Sequence, residues 1–539
     1  SRGAALDRPP TPRPMPHAFA LLRSPRHRVA VAALLLATAL PAAAQPVDPL
    51  VTTVRAYRMS HAREILERFA AFLALPNEAN DSVNIRRNAD FLMTELARRG
   101  IATRRLESPG APPAVYGELR VPGAKRTVLL YAHYDGQPVR AIEWKTNAWQ
   151  PVLLDGRLED GAREHPLTDG ADPSRESWRL YARSASDDKA PIIAMLTALD
   201  ALRDAKVPLT TNLKFFFEGE EEAGSSHLRA VLSANRGLLA SDVLLFFDGP
   251  RHQSGAMQVV FGVRGSYGVS LTAYGPVRPL HSGHYGNWAP NPALRLARLI
   301  ASMRDDDGTI LIPGFYDDVR ALSAAERAAL ATVPDVDAAL REELLLGGTE
   351  AKGAALVERI TRPALNVRGF ASGGVGSAAT NAVPTIARAS IDFRLVPNQT
   401  PARIRQLVEA HARAQGWHVV GDTADVTPAL RRQHDKILVA DFAEGGYPAQ
   451  RTALDEPIAR EVVRVVQRAV GDSVALLPTL GGSLPLAIFA EVLKTPIITV
   501  PTVNYDNSQH APNENVRLKE FWQSIEIVAV VMAGMGVTP

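Results

Sequence analysis

Apolar residues fall at helical spacing in HAREILERFAAFLAL and NIRRNADFLMTELARRG, then switch to the runs of strands in AVYGELRV and TVLLYAHYD. Helices alternating with strands predict an α/β domain with a mainly parallel central sheet flanked by helices. From about Gly265 the pattern becomes strand GVSLTAYG, helix NPALRLARLIASM, strand ARASIDFRLVP, helix TPARIRQLVEAHARAQG and strand HVVG. EPIAREVVRVVQRAVGD, from Glu456, reads as the helix that resumes the first pattern. LEDGAREHPLTDGADPSRES, within Leu154–Ser177, is acidic and rich in Pro and Gly, as expected of a surface hairpin or loop. The Ala-rich stretch Ala321–Glu358 reads as helical and peripheral.

With 539 residues the chain is long for one core, which predicts two domains, and a hydrophobic content of 46% fits a globular protein. Met15, Arg23, Arg26, Arg28, the twelve-residue apolar run Val29–Leu40 and Ala42–Ala44 read as a secretory signal over residues 15–44, with cleavage after Ala44. That run falls short of the ~20 residues needed to span a bilayer. Residues 1–14, rich in Pro and Arg, are read as an upstream extension outside the fold. Residues 1–44 carry six Arg and one Asp, a charge of +5, so without them the formal +3 of the chain becomes −2. With no basic run there is nothing for nucleic acid to bind. The expectation is a periplasmic or secreted protein with no membrane attachment after cleavage.

Five short stretches carry the candidate chemistry. TVLLYAHYDGQPV ends an apolar strand in His133 and Asp135, which leave the same face of its tip, so that one can bind a metal while the other orients it. LYARSASDDKAP holds Asp187 and Asp188, LKFFFEGEEEAGSSHL holds Glu220, Glu221 and Glu222, DVLLFFDGP ends in Asp248, and YDNSQHAPNE surrounds His510. Singly, most such acids are solvated caps or loops. Together they follow strand-like segments whose ends converge on one crevice of an open α/β sheet. Carboxylates crowded there repel one another unless cations lie between them, so the constellation points to a two-metal hydrolytic site. Imidazole and carboxylate donors without thiolate suit Zn2+ best and also accept Mn2+ or Co2+. The absence of cysteine removes thiol nucleophiles, disulfides and Cys-ligated zinc. Gly481–Ser483 lacks the nucleophile elbow of serine hydrolases, and Gly373–Gly376 do not precede Gly-Lys-Ser/Thr.

The motifs AHYD, SASDDKAP, EGEEEAGS, FFDG, PLHSGHYGN, DFRLVPNQTP, LGGSLP and NSQHAPNE, in this order, resemble those of the zinc-dependent exopeptidases and amidohydrolases that include carnosine dipeptidases, aminoacylases and glutamate carboxypeptidases. The dipeptidase branch is the most similar. The resemblance implies a metal-binding domain in two parts, 45–264 and 453–539, with an inserted α+β lid and dimerisation domain at 265–452. It implies that Asp187 bridges two metals, that His133 and Asp248 complete one and Glu222 and His510 the other, and that the Asp187–Asp188 peptide bond is cis. Glu221 is then the general base on the water between the metals, and Asp135 the carboxylate that fixes the His133 imidazole. Glu220 is read as a solvated residue. In the lid, His281, Asn381 and Arg394 acquire a substrate role, the first two often from the partner subunit of a dimer. Arg394 would grip a free C-terminal carboxylate bidentately, and Ser483 would add donors to the same group. The chain departs from the pattern at Ala182, Ser184 and Ala190, where glycine is usual.

The resulting expectation is a two-metal dipeptidase or short-peptide hydrolase working as a homodimer. An N-acyl or N-carbamoyl amino-acid amidohydrolase would use the same site, and a catalytically silent binding protein would share the fold. Retention of Glu221 together with five ligands argues against the silent alternative.

Overall fold

The strand Thr127–His133 shows how the large sheet is built. Val128, Leu130 and Ala132 enter one apolar core while Leu129 and Tyr131 enter another on the opposite face. This is the period-two alternation of a strand covered on both sides. The computed structural model describes residues 48–536 except 472–473, so the leader and signal read at 1–44 lie outside the described residues.

Thr127–His133 runs parallel to Asn212–Glu218 on one side and to Val243–Phe246 on the other. Val243–Phe246 is in turn parallel to Ile497–Thr499. Ala114–Leu119 and Ala102–Leu106 extend the sheet antiparallel at one edge, and Gln258–Val260 with Ala475–Leu477 at the other, giving eight strands. Lys189–Asp204, buried along nearly its whole length, and Leu518–Gly534 cover one face. Leu228–Ala234 and Leu486–Leu493 cover the other, where the Phe489 ring stands edge-on to Tyr131 and Phe246, each with centroids 5.3 Å away. The helix expected near Glu456 is Pro457–Val470; proline in its first turn suits the unpaired N-terminal donors, and Gly471 at φ 70° supplies the left-handed cap.

The second sheet has five strands in the order Ala364–Ala371, Ile386–Leu395, Gly265–Tyr274, Ile437–Phe442, His418–Val420. All pairs are antiparallel except the last. Helices Pro292–Ala301 and Pro401–Ala414 pack on it around its own core of Leu271, Leu296, Ile391, Phe393 and Ile404. Its strand–helix–strand–helix–strand order is the one read from the sequence. Ala364–Ala371, Ile437–Phe442 and the helix Pro49–Ser60 were not.

The acidic loop after Leu154 is a hairpin, Val152–Leu154 pairing with Glu164–His165, in a four-stranded sheet with Arg179–Tyr181 and Asn515–Arg517. Between Ala321 and Glu358 lie short, mostly exposed helices, anchored by the buried Glu326 through Arg320 and Arg451. Among the described residues no helix is long and apolar enough to cross a membrane.

Leu130 is fully buried at the centre of the large sheet. Leu130→Ala should therefore lower the unfolding free energy by about 2–5 kcal/mol, read as a shifted denaturant midpoint with an unchanged slope. A loss below about 0.5 kcal/mol, the usual size for a surface change, would contradict this packing.

Candidate metal centre

Three neighbouring parallel strands end at the same edge of the large sheet, and their apolar bodies draw the polar residues at their tips into a buried setting. His133 is the last residue of the central one, Glu220–Glu222 come after Asn212–Glu218 and Gly219, and Asp248 comes two residues after Phe246. Gly219 is required there, because a Cβ would lie 2.5 Å from the Tyr134 hydroxyl. Asp187 lies in the turn between Arg179–Tyr181 and Lys189–Asp204, and His510 in the turn before Asn515–Arg517, at φ 61°. The Asp187–Asp188 peptide bond is cis, as the resemblance implies.

These pieces meet around Asp187. Its Oδ1 is 2.9 Å from His133 Nε2, and its Oδ2 is 3.1 Å from His510 Nε2. Asp248 Oδ2 is 3.8 Å from His133 Nε2, and Glu222 Oε2 is 3.2 Å from His510 Nε2. The carboxylate thus turns one oxygen toward each histidine, and each histidine has a further carboxylate beside it. His133, Asp187 and Glu222 can offer ligand atoms within 4.8 Å of one another, as can His133, Asp188 and Asp248. Asp188, to which the sequence reading gave no role, therefore belongs to the donor group. Its Oδ2 also accepts the His133 N–H at 3.3 Å.

Asp135 is fully buried, and its two oxygens accept the main-chain N–H groups of Glu221 at 3.1 Å and Glu222 at 2.9 Å. The nearest partner of His133 Nδ1 is the Asp135 carbonyl at 3.1 Å, with the carboxylate Oδ1 at 3.4 Å. The main chain of Asp135 thus orients the imidazole at least as closely as its side chain, which is occupied with the glutamate loop. Glu222 is held by Gln137 at 2.7 Å as well as by His510, whereas the Glu221 carboxylate accepts no hydrogen bond among the described residues. Glu220, expected in solvent, is instead paired with His227, whose Nδ1 and main-chain N–H lie at 2.7 and 3.0 Å.

Burial pushes Asp248 up to about 7 and Glu222 to about 8, with Asp187 adding to both. Glu221 and Asp188 are raised well above the carboxylate range, first by burial and then by neighbouring carboxylates, although His133 opposes. Burial also opposes charge on Asp187, but hydrogen bonds from His133 and His510 outweigh it and hold that group low. The hydrogen bond to Asp187 raises His510 to about 9 despite burial, and Asp135 and Asp187 overcome burial to raise His133. Asp248 Oδ2 and Asp188 Oδ1 are buried with no hydrogen-bond donor among the described residues. Acceptors without donors among crowded carboxylates and imidazoles fit divalent cations.

Of the residues given a substrate role, two are brought together. Arg394 donates through Nε to Asp392 and through a terminal nitrogen to the Ser483 hydroxyl, both at 3.0 Å. Arg264, unnoticed in the sequence, donates to the Gly481 carbonyl at 3.0 Å in the same turn, and burial followed by Arg394 lowers it to about 10. His281 and Asn381 sit together on the exposed ribbon of Leu280–His281 and Ala382–Val383, where the Ser282 N–H donates to the Asn381 carbonyl at 2.8 Å. Neither makes a recorded polar contact with the metal-site residues.

The fold and donor set define a metal-dependent hydrolase. The model of peptidase family M20/M25/M40 matches residues 129–533, and the chain belongs to that family, a metallo-exopeptidase. It is 24% identical over 485 residues to a Cys-Gly metallodipeptidase of Schizosaccharomyces pombe, covering 86% of this chain and 94% of that one. It is 23% identical over 530 residues to the human Beta-Ala-His dipeptidase, covering 94% and 97%. Among solved structures, an M20 family metallo-carboxypeptidase from Sulfolobus solfataricus superposes with a TM-score of 0.69 at 28% identity, over 87% of this chain and 99% of that one. The large, mainly parallel sheet with its added lid is the architecture of this family.

Groups raised in this way keep their protons until the pH passes their folded-state values, and a cation must displace those protons to bind. Metal affinity should therefore rise between about pH 6 and 9 and level off above, with proton release measurable by calorimetry in buffers of different ionisation enthalpy. An affinity independent of pH over that range would contradict the assigned donors.

Proposed function

We propose that the protein hydrolyses the peptide bond of dipeptides or short peptides with a free C-terminal carboxylate at a two-metal centre. Asp187 would bridge the ions, with His133 and Asp248 on one and Glu222 and His510 on the other. The observation that carries this reading is Asp187 itself, with one oxygen turned to each histidine. Zn2+ suits the donors best. When bound, two such ions polarise the scissile carbonyl and acidify the attacking water. Glu221, its main chain fixed by Asp135 and its carboxylate free, takes the proton released as the water oxygen bonds to the carbonyl carbon. It then returns that proton to the amine nitrogen as the C–N bond breaks.

Arg394 and the Gly481–Ser483 turn would receive the substrate carboxylate. The exposure of His281 and Asn381 supports a homodimer in which the lid, 265–452, of one subunit serves the site of the other. Carnosine-type and Cys-Gly dipeptides are the natural first substrates, given the names of the relatives. A secreted or periplasmic location is part of the same reading and rests on the leader alone. An N-acyl or N-carbamoyl amino-acid amidohydrolase would keep Arg394 in the same role.

Glu221→Gln should retain the metals and lose turnover by about 100-fold or more, measured by metal analysis and kinetics on one sample. Loss of metal along with activity would mean that Glu221 and Glu222 are interchanged. Amidating a dipeptide's C-terminus should lower kcat/KM by about 10- to 100-fold, because a charge-assisted contact is lost. N-acylation should be tolerated by an amidohydrolase and not by a strict dipeptidase. Equal hydrolysis of free and amidated dipeptides would remove Arg394 from the mechanism.

A further inference from the structure

We propose that Glu514 is a positioning residue of the metal centre: its carboxylate fixes the main chain of Arg183–Asp187 so that the Asp187 side chain lies between His133 and His510. The inference rests on the two-metal reading above. Glu514 is 0% exposed. Its Oε1 accepts the N–H groups of Ser186 and Asp187 and the Ser186 hydroxyl, all at 2.9 Å. Its Oε2 accepts the Ser184 N–H and the Arg183 guanidinium, both at 2.9 Å. The Glu514 carbonyl takes the Ala182 N–H at 3.1 Å.

Every donor to the carboxylate comes from the turn that delivers Asp187. Five donors converge on one group, which only an ionised carboxylate satisfies without presenting a donor of its own. The turn's other main-chain ties are the Arg183 N–H to the Ala148 carbonyl at 3.0 Å and two bonds within the turn itself, from the Ala185 N–H to the Ala182 carbonyl and the Lys189 N–H to the Ser184 carbonyl, both at 3.2 Å. Ser184 stands at φ 62°, in the left-handed region that favours glycine, and its hydroxyl is held by Asn77 at 2.9 Å. Glu514 also lies four residues after His510. The pairing of Arg179–Tyr181 with Asn515–Arg517 brings the turn carrying His510 beside the turn carrying Asp187, and the Glu514 side chain joins the two beyond that pairing, at two donors of the same ion.

The test measures ion binding rather than turnover. Holoenzyme, Glu514→Gln and Ser186→Ala are compared by zinc competition with a chromophoric chelator, with metal stoichiometry and thermal melting on the same samples. Glu514→Gln places an amide NH2 among N–H donors and leaves Arg183 unpaired. It should weaken at least one ion by about 10- to 100-fold, the usual effect of losing an outer partner of a ligand. Ser186→Ala removes one hydroxyl, so it should melt near the wild type and weaken binding in the same direction by a smaller factor. A purely structural Glu514 would lower the melting temperature and leave the affinity of the folded fraction unchanged in both variants, which would overturn the proposal. If Glu514→Gln does not fold, Ser186→Ala decides alone, and wild-type affinity there overturns it. A wild-type chain that binds fewer than two ions would instead remove the two-metal reading and is distinguishable by stoichiometry.

Discussion

Four carboxylates and two imidazoles crowd one end of a sheet that excludes water, and the rest of the structure answers to that. Asp187, Asp188 and Asp248 are each less than a tenth exposed and lie around the buried His133. Charges of one sign at this separation cannot all persist in a low dielectric. Without cations the group holds protons instead, with Asp248 up to about 7 and Glu222 to about 8. The same donors are therefore costly when ionised alone and well placed when shared with divalent ions. Asp187 is the exception that organises the others, since two histidines hold it low while burial opposes them.

Such a group needs a rigid frame, and the frame is the main chain. Parallel neighbours bring three strand ends to one edge. Asp135 then holds two consecutive N–H groups of the glutamate loop, so that Glu221 and Glu222 diverge from a fixed backbone with different surroundings. One has Gln137 and His510 as partners, and the carboxylate of the other has none among the described residues. That difference in surroundings supports the roles proposed for them, Glu222 as a ligand and Glu221 as a proton carrier, better than their adjacency in sequence does.

This construction decides how much of the molecule is legible in its sequence. An apolar strand ending in a histidine or an acid is a local signal, so His133, Glu222 and Asp248 were visible, as were the helices and strands with clear periodicity. Asp187 and His510 lie in turns, and their places came from the resemblance to a family and not from any pattern. Arg264 and Asp188 were overlooked because their significance lies in partners distant in the chain. Arg264 meets Gly481, and nothing near an arginine in FGVRGS announces that contact. Ala364–Ala371 was missed for a related reason: as an edge strand exposed over most of its length, it has no buried face to imprint alternation.

The division of labour between the two sheets has an electrostatic cause. The metal edge is built from acids, so without cations it would repel any substrate bearing a carboxylate, and even when loaded it offers no fork shaped for one. Under the proposed function, recognition of an anionic terminus must therefore come from elsewhere. Arg394 stands on a strand of the second sheet, yet its guanidinium reaches Ser483, which follows the last edge strand of the first. Arg264, at the start of the second sheet, holds the adjoining Gly481. Two guanidiniums face one turn, and Asp392 balances only one of them. The positive charge proposed to read the carboxylate therefore sits where the two sheets touch, whereas the proposed metal donors all lie outside the second sheet.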